Sequence, residues 1–224
     1  MLRYFGQSAI DTVRSSRLKV SKPGSFNDPY EFLINTNPSV RPDDWIRRNV
    51  DENLRVLCMS DSQRIDEGGD ILMWSHYGKG HTGFRLHFDR EYLDEISEVC
   101  WDIEYETDIP YYDGDYDIMS DMGGHEAYQA LSSGLRAKGH FWSYEKETRF
   151  FFSKDMTRRD RAGGFDYVRL PSCGLLRVDI GIETSEEAEY AMVDALDRRK
   201  WDHVEVFYAQ RIKGRFGIEY IPYW

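Results

Sequence analysis

Cysteine is scarce in this chain of 224 residues, and Cys58, Cys100 and Cys173 are widely spaced and never form a CxxC pair. A disulfide framework and a cysteine zinc site are excluded, and the three read as buried thiols. Seven prolines are scattered rather than gathered into a linker, and no repeat or low-complexity tract interrupts the chain, so residues 1–224 read as a single domain. No apolar run approaches the roughly 18 residues that span a bilayer. The start, Met1-Leu2-Arg3-Tyr4-Phe5, lacks the basic and apolar regions of a signal peptide. These absences lead to the expectation of a cytoplasmic protein with no membrane partner. GxxxxGK[ST], GxGxxG and GxSxG are all missing, which removes support for a P-loop nucleotidase, a Rossmann cofactor fold and a serine-hydrolase elbow.

An excess of basic charge is missing too: 29 Lys and Arg face 40 Asp and Glu, for a formal charge of −11. The imbalance is regional. Between Asp89 and Asp121 lie 13 acidic residues and one basic residue, Arg90, a local charge of −12 that leaves +1 for everything else. Clustered Lys and Arg are what phosphate backbones require, so this block disfavours nucleic acid on its own surface and leaves the remainder free to bind it. Tyr111, Tyr112 and Tyr116 sit among its aspartates around Gly114, the pattern of a long exposed excursion. Residues 101–121 are a candidate contact for a basic protein partner. Aromatic residues make up 15% of the chain, well above what disordered segments carry.

The hydrophobic patterning predicts an α+β fold. A short helix is expected over Ser8 to Ser16, a strand at Leu18 to Ser21, and a strand covered on both faces at Val56 to Ser60. Asp70 is expected to cap a brief helix through Tyr77 that Gly78 stops in the left-handed conformation. Gly83 to Asp89 alternates as a strand with Phe84, Leu86 and Phe88 toward the core. Glu126 to Lys138 is helix-compatible, and Trp142 to Phe152 reads as a strand. The end of the chain reads β-α-β: a strand over Leu175 to Ile180, a helix from Thr184 or Ser185 to about Arg199, and a strand over Val204 to Tyr208.

Three segments carry candidate chemistry. In Phe26-Asn27-Asp28-Pro29-Tyr30-Glu31, Asp28 is expected to cap a helix with Pro29 at its first position and Glu31 closing a capping box. Asn27, Asp28 and Glu31 can also reach a ligand there. In the expected strand over 142–152, the two-residue period puts Glu145, Glu147 and Arg149 on one face. Neighbouring carboxylates can raise one pKa for acid–base work, and an adjacent guanidinium can hold a carboxylate ionised or grip an anion. Around His76, His81 and His87 no metal spacing is present, but Gly78, Gly80 and Gly83 permit close backbone approach, and Lys79 and Arg85 are candidate phosphate contacts. Trp74 and Tyr77 are candidates to stack on a ring. A carboxylate set drawn from Asp28, Glu31, Glu145 and Glu147 also permits metal-dependent nucleic-acid hydrolysis, provided the four converge. Lys154, Arg158, Arg159 and Arg161 read as a solvated loop.

The order of these motifs resembles a bacterial family catalogued as domain of unknown function 2971. The resemblance rests on Leu2-Arg3-Tyr4-Phe5, Leu18 to Ser21, Phe26 to Glu31, Cys58-Met59-Ser60, Met73 to Tyr77, His81 to Phe84, and Lys138 with Trp142 to Arg149, and it runs to about residue 210. It implies a bacterial setting, with a role in stress or phage response, and no assigned activity. The element order is also similar, at the level of fold alone, to ADP-ribosyltransferase-like domains, whose curved, split mixed sheets are flanked by helices. By position, that similarity places Arg3 or Tyr4 on the first strand, Ser21 on the second, and Glu145 or Glu147 on the last, and implies NAD as cofactor. The leading expectation is a nucleotide-using transferase or glycohydrolase. Glu147 would steady an oxocarbenium-like centre, and Arg149 or Arg85 would hold phosphate.

Overall fold

The computed structural model describes residues 1–35, 50–111, 125–160 and 163–223. Its main sheet has eight strands in the order β13-β12-β11-β4-β1-β3-β8-β5. These are β1 (Leu2–Phe5), β3 (Leu54–Ser60), β4 (Phe84–Phe88), β5 (Val99–Asp102), β8 (Glu147–Ser153), β11 (Leu175–Ile180), β12 (Glu205–Arg211) and β13 (Ile218–Pro222). β2 (Arg17–Val20), β9 (Arg158–Arg159) and β10 (Asp166–Arg169) form a second sheet, and β6 (Glu104–Glu106) pairs with β7 (Ala137–Gly139). The fold is α+β with mixed pairing: β11 and β12 run parallel, and their other neighbours in the sheet are antiparallel.

Helix α1 (Ser8–Ser15) buries Ala9, Ile10 and Val13 and ends where Ser16 turns left-handed, φ 56°, its N–H donating to the Thr12 and Val13 carbonyls. Helix α5 (Glu186–Leu196) starts at Ser185, whose hydroxyl accepts from the Ala188 N–H, and buries Ala188, Met192, Ala195 and Leu196. It links β11 to β12 as the β-α-β pattern predicts, but it stops at Leu196, three residues before the expected end. Both helices pack on the face of the sheet that receives Phe84, Leu86 and Phe88, each at most 1% exposed. β3 is interior, between β1 and β8, as its continuous apolar run requires.

Several expectations about local structure are corrected. Helix α2 (Glu67–His76) is capped by Asp66, whose carboxylate accepts from the Gly69 N–H at 2.7 Å; Asp70 lies inside the helix with its side chain in a buried network. Gly78 is required by packing rather than handedness, since a Cβ there would meet the Trp74 ring at 2.5 Å; the left-handed residues are Lys79, Gly80 and His81. Pro29 starts no helix. Residues 29–32 form a turn closed by Phe32 at φ 60°, and Glu31 points inward instead of completing a capping box. Half of the capping logic survives, because Asp28 Oδ1 accepts from the Tyr30 N–H at 2.8 Å. The strand expected from Trp142 begins only at Glu147, after 3-10 turns over His140–Glu145 and a left-handed Lys146 at φ 46°. The acidic stretch is structured through Glu106 as α3 (Arg90–Ile96), β5 and β6. Its continuation through Tyr112, Gly114 and Tyr116 to Asp121 lies outside the described residues, as does Arg161. Helix α4 (His125–Arg136) ends before Lys138, which falls on β7.

The sheet has one weak seam. β1 pairs with β4 through four residue pairs and β3 with β8 through seven, yet β1 and β3 share only Leu2↔Ser60. Farther along β3, Ser21 replaces β1 as partner: its N–H donates to the Val56 carbonyl at 2.9 Å, and its carbonyl accepts from the Val56 N–H at 2.8 Å. Between these two closures the strands part.

Candidate functional site

A cavity of about 320 Å³ fills this seam. β1 contributes Arg3 and Tyr4, β3 contributes Cys58, the segment after β2 contributes Ser21 and Asn27, Tyr77 comes from the C-cap of α2, and the remaining wall is Glu31, Lys138, Glu145 and Glu147. Of the residues expected from sequence, Tyr4, Ser21, Asn27, Glu31, Tyr77, Glu145 and Glu147 therefore share one wall system, with Arg149 directly behind it. The left-handed Lys146 bends the chain between Glu145 and Glu147 and turns both side chains inward, each less than 5% exposed. Simple strand alternation would have reached this neighbourhood for a different reason.

Lys138 is the hub. Its ammonium donates to Glu145 Oε2 at 2.5 Å and to Glu147 Oε2 at 3.0 Å, and it lies 3.6 Å from Glu31 Oε1. Arg149, fully buried, donates from Nε to Glu147 Oε1 at 2.8 Å, from Nη2 to Glu31, and from Nη1 to the Leu135 carbonyl at 3.0 Å. Phe32 packs under its guanidinium at 4.7 Å. The Tyr77 hydroxyl donates to Glu145 Oε1 at 2.6 Å, and the Glu147 N–H donates to the Tyr105 hydroxyl at 2.7 Å.

Three carboxylates thus share two cations, and they divide into two kinds. Burial pushes the Glu147 carboxyl up, but Arg149 and Lys138 together outweigh it and hold the group well below the ordinary carboxylate range. For Glu31 and Glu145 burial wins over the same cations, and both are raised. The cluster therefore combines a Glu147 held ionised with Glu31 and Glu145 carboxyls whose protonated forms burial favours. Burial raises the Cys58 thiol well above its usual value, and Glu147 raises it further, which makes it a poor nucleophile.

The other expected residues sit elsewhere. Arg85 is locked in a buried network on the opposite side of Tyr4: Nε donates to Asp179 Oδ2 at 2.7 Å and Nη1 to Asp70 Oδ1 at 2.8 Å. It has no free fork for phosphate, and neither does Arg149. Trp74 is fully buried, with its indole N–H donating to the Tyr220 hydroxyl at 2.9 Å, so it stacks on no ligand. His76 is exposed and bonded through Nδ1 to the Tyr144 hydroxyl at 2.8 Å. Asp28 is spent on its turn. Among the described residues no group of three His, Cys, Asp and Glu side chains is placed to hold a metal ion.

Sequence reasoning named Lys138 only within the motif of the resemblance and gave it no role at the site, and it missed Tyr105 and the roles of Arg3 and Cys58. Lys138 had one available signal: three acids drawn to a single arginine leave a buried charge uncompensated, and the closest cation before Glu145 in the sequence is Lys138.

Residues 73–150 match the model of a family described as a protein of unknown function, DUF2971. That span holds Tyr77, Lys138, Glu145, Glu147 and Arg149, while Arg3, Ser21 and Glu31 fall before it. No curated protein and no solved structure matches the chain.

Proposed function

We propose that the seam cavity is the active site of a nucleotide-using transferase or glycohydrolase acting on an NAD-like substrate. The observation that carries this reading is the three-carboxylate, two-cation cluster on the cavity wall. Breaking a glycosidic bond to a ribose calls for negative charge beside the developing oxocarbenium centre and for a carboxyl that can give or take a proton. Glu147, kept ionised by Lys138 and Arg149, supplies the first. Glu145, raised by burial and in contact with the Tyr77 hydroxyl, supplies the second. Lys138 binds both and fixes their spacing. At about 320 Å³ the cavity lies at the small end of ligand sites. On this reading one nucleoside-sized half of the substrate enters the cavity and the rest stays outside.

The test is nicotinamide release from NAD, followed chromatographically for wild type and Glu147→Gln. The reading expects turnover that falls by about two orders of magnitude or more in the variant, the scale of losing an electrostatic stabiliser of the transition state. Turnover that is equal in both proteins, or absent with every nucleotide tried, contradicts it.

A further inference from the structure

Of the arginines near the cavity, two are neutralised and one is not. Arg149 meets Glu31 and Glu147, and Arg85 meets Asp70 and Asp179. Arg3 forms no ion pair among the described residues. Its Nη1 donates to the Lys19 carbonyl at 2.9 Å and its guanidinium lies over the Phe5 ring at 5.1 Å. Of its five N–H donors, therefore, one is used. The side chain is half-buried and lines the same cavity as Glu145 and Glu147, with Cys58 close enough to act on Arg3 and to be acted on by Glu147. Ser21 and Asn27 also line the cavity, and neither makes a side-chain hydrogen bond within the described structure. A partly desolvated guanidinium with an open fork, in one cavity with residues bearing an uncommitted hydroxyl and amide, is a receptor for a planar or tetrahedral oxyanion.

We infer that Arg3 is the anion-anchoring residue of the cavity and that it holds a phosphate group of the ligand, with Ser21 and Asn27 completing the cradle. This rests on the proposed nucleotide reading for the choice of phosphate over carboxylate, and on the geometry alone for anion binding. The cavity is then polarised: an oxyanion binds at the Arg3 end, and a hydroxyl-bearing or electron-poor carbon lies at the Glu145 and Glu147 end.

Phenylglyoxal modification of the whole protein, read by peptide mass spectrometry, tests the assignment with inorganic phosphate and with acetate as probes. Arg3 is expected to be modified in buffer and protected by phosphate, while Arg85 and Arg149 stay unmodified throughout. Arg3→Gln should weaken the phosphate-dependent rise in melting temperature by about 10- to 100-fold in apparent affinity, the scale of a charge-assisted hydrogen-bonded contact, with Arg3→Lys recovering part of it. Protection by acetate but not phosphate keeps the anion site and overturns the phosphate assignment. No protection by either, or protection unchanged in thermal shift by Arg3→Gln, overturns the inference. Should Arg3→Gln fail to fold, protection of the wild-type residue decides alone. Phosphate protection that persists in a protein with no NAD turnover separates this inference from the proposed reaction.

Discussion

Two buried polar networks, separated by Tyr4, are built from the same materials and behave as opposites. On one side Asp70 and Asp179 balance Arg85 and Arg177, and every partner is bonded inward: Tyr4 and Tyr220 donate to Asp70 at 2.5 Å each, and His87 and Arg177 bond Asp179 at 2.5 and 2.6 Å. On the other side Glu31, Glu145 and Glu147 outnumber Lys138 and Arg149 and face a cavity in which Arg3 has no acidic partner among the described residues. A closed, balanced network fixes α2 and β13 to the sheet. An open one with a surplus carboxylate is the site that the proposed function assigns to the ligand. Buried charge by itself is no marker of function; the proposed function rests on imbalance beside a cavity.

The comparison breaks first if the arginines are not equivalent as structural anchors. Arg149→Met and Arg85→Met should each destabilise by about 3–5 kcal/mol, because each strands two buried carboxylates, and chemical denaturation will show whether the two losses match. The acids should then part company. Asp70→Asn, which weakens three short hydrogen bonds in a balanced network, is expected to cost about 2–4 kcal/mol. Glu145→Gln removes the surplus charge and should leave stability at pH 7 unchanged or increased while abolishing turnover. Equal destabilisation by both changes would erase the distinction.

Acid sensitivity sharpens it further. Burial raises Asp179, but the hydrogen bond from His87 and the charges of Arg85 and Arg177 bring it down to about 2. A carboxylate lowered on folding contributes stability that is complete above its ordinary value near 4 and is lost as pH falls through the folded value, here roughly 2 kcal/mol between pH 4 and 2. Glu31 and Glu145 have the opposite sign, since raised carboxyls cost stability as pH climbs from their unfolded to their folded values. Asp179→Asn should flatten the acid limb of a melting-temperature profile, and Glu145→Gln should flatten the decline that follows it as pH climbs. The smallest effect is Tyr77→Phe, about 1 kcal/mol for one hydrogen bond, accompanied by a shift in the pH dependence of turnover.

What was legible in the sequence follows the range of the interactions. Phe84, Leu86 and Phe88 announced β4 through alternation, and Ser185 announced α5 through its capping chemistry, because both signals are local. The pairing of Arg85 with Asp179 spans 94 residues and leaves no local trace. The Glu145–Glu147 proximity was readable from adjacency, but its cause, the left-handed Lys146, was not, since lysine carries no preference for that conformation. Asn27 and Glu31 were found as cavity residues by way of a helix that does not form. Arg3 drew notice for its place on the first strand, and only the full accounting of charge partners distinguishes it from Arg85 and Arg149.

The central claim is that the seam cluster keeps one carboxyl readily protonated beside an ionised neighbour. A carbon-13 NMR titration of glutamate side-chain carboxyls, assigned with Glu31→Gln, Glu145→Gln and Glu147→Gln, measures this directly. The account predicts that the Glu31/Glu145 pair titrates above the ordinary glutamate range and that Glu147 stays ionised below it. Three glutamates titrating together at or below the ordinary value would contradict it.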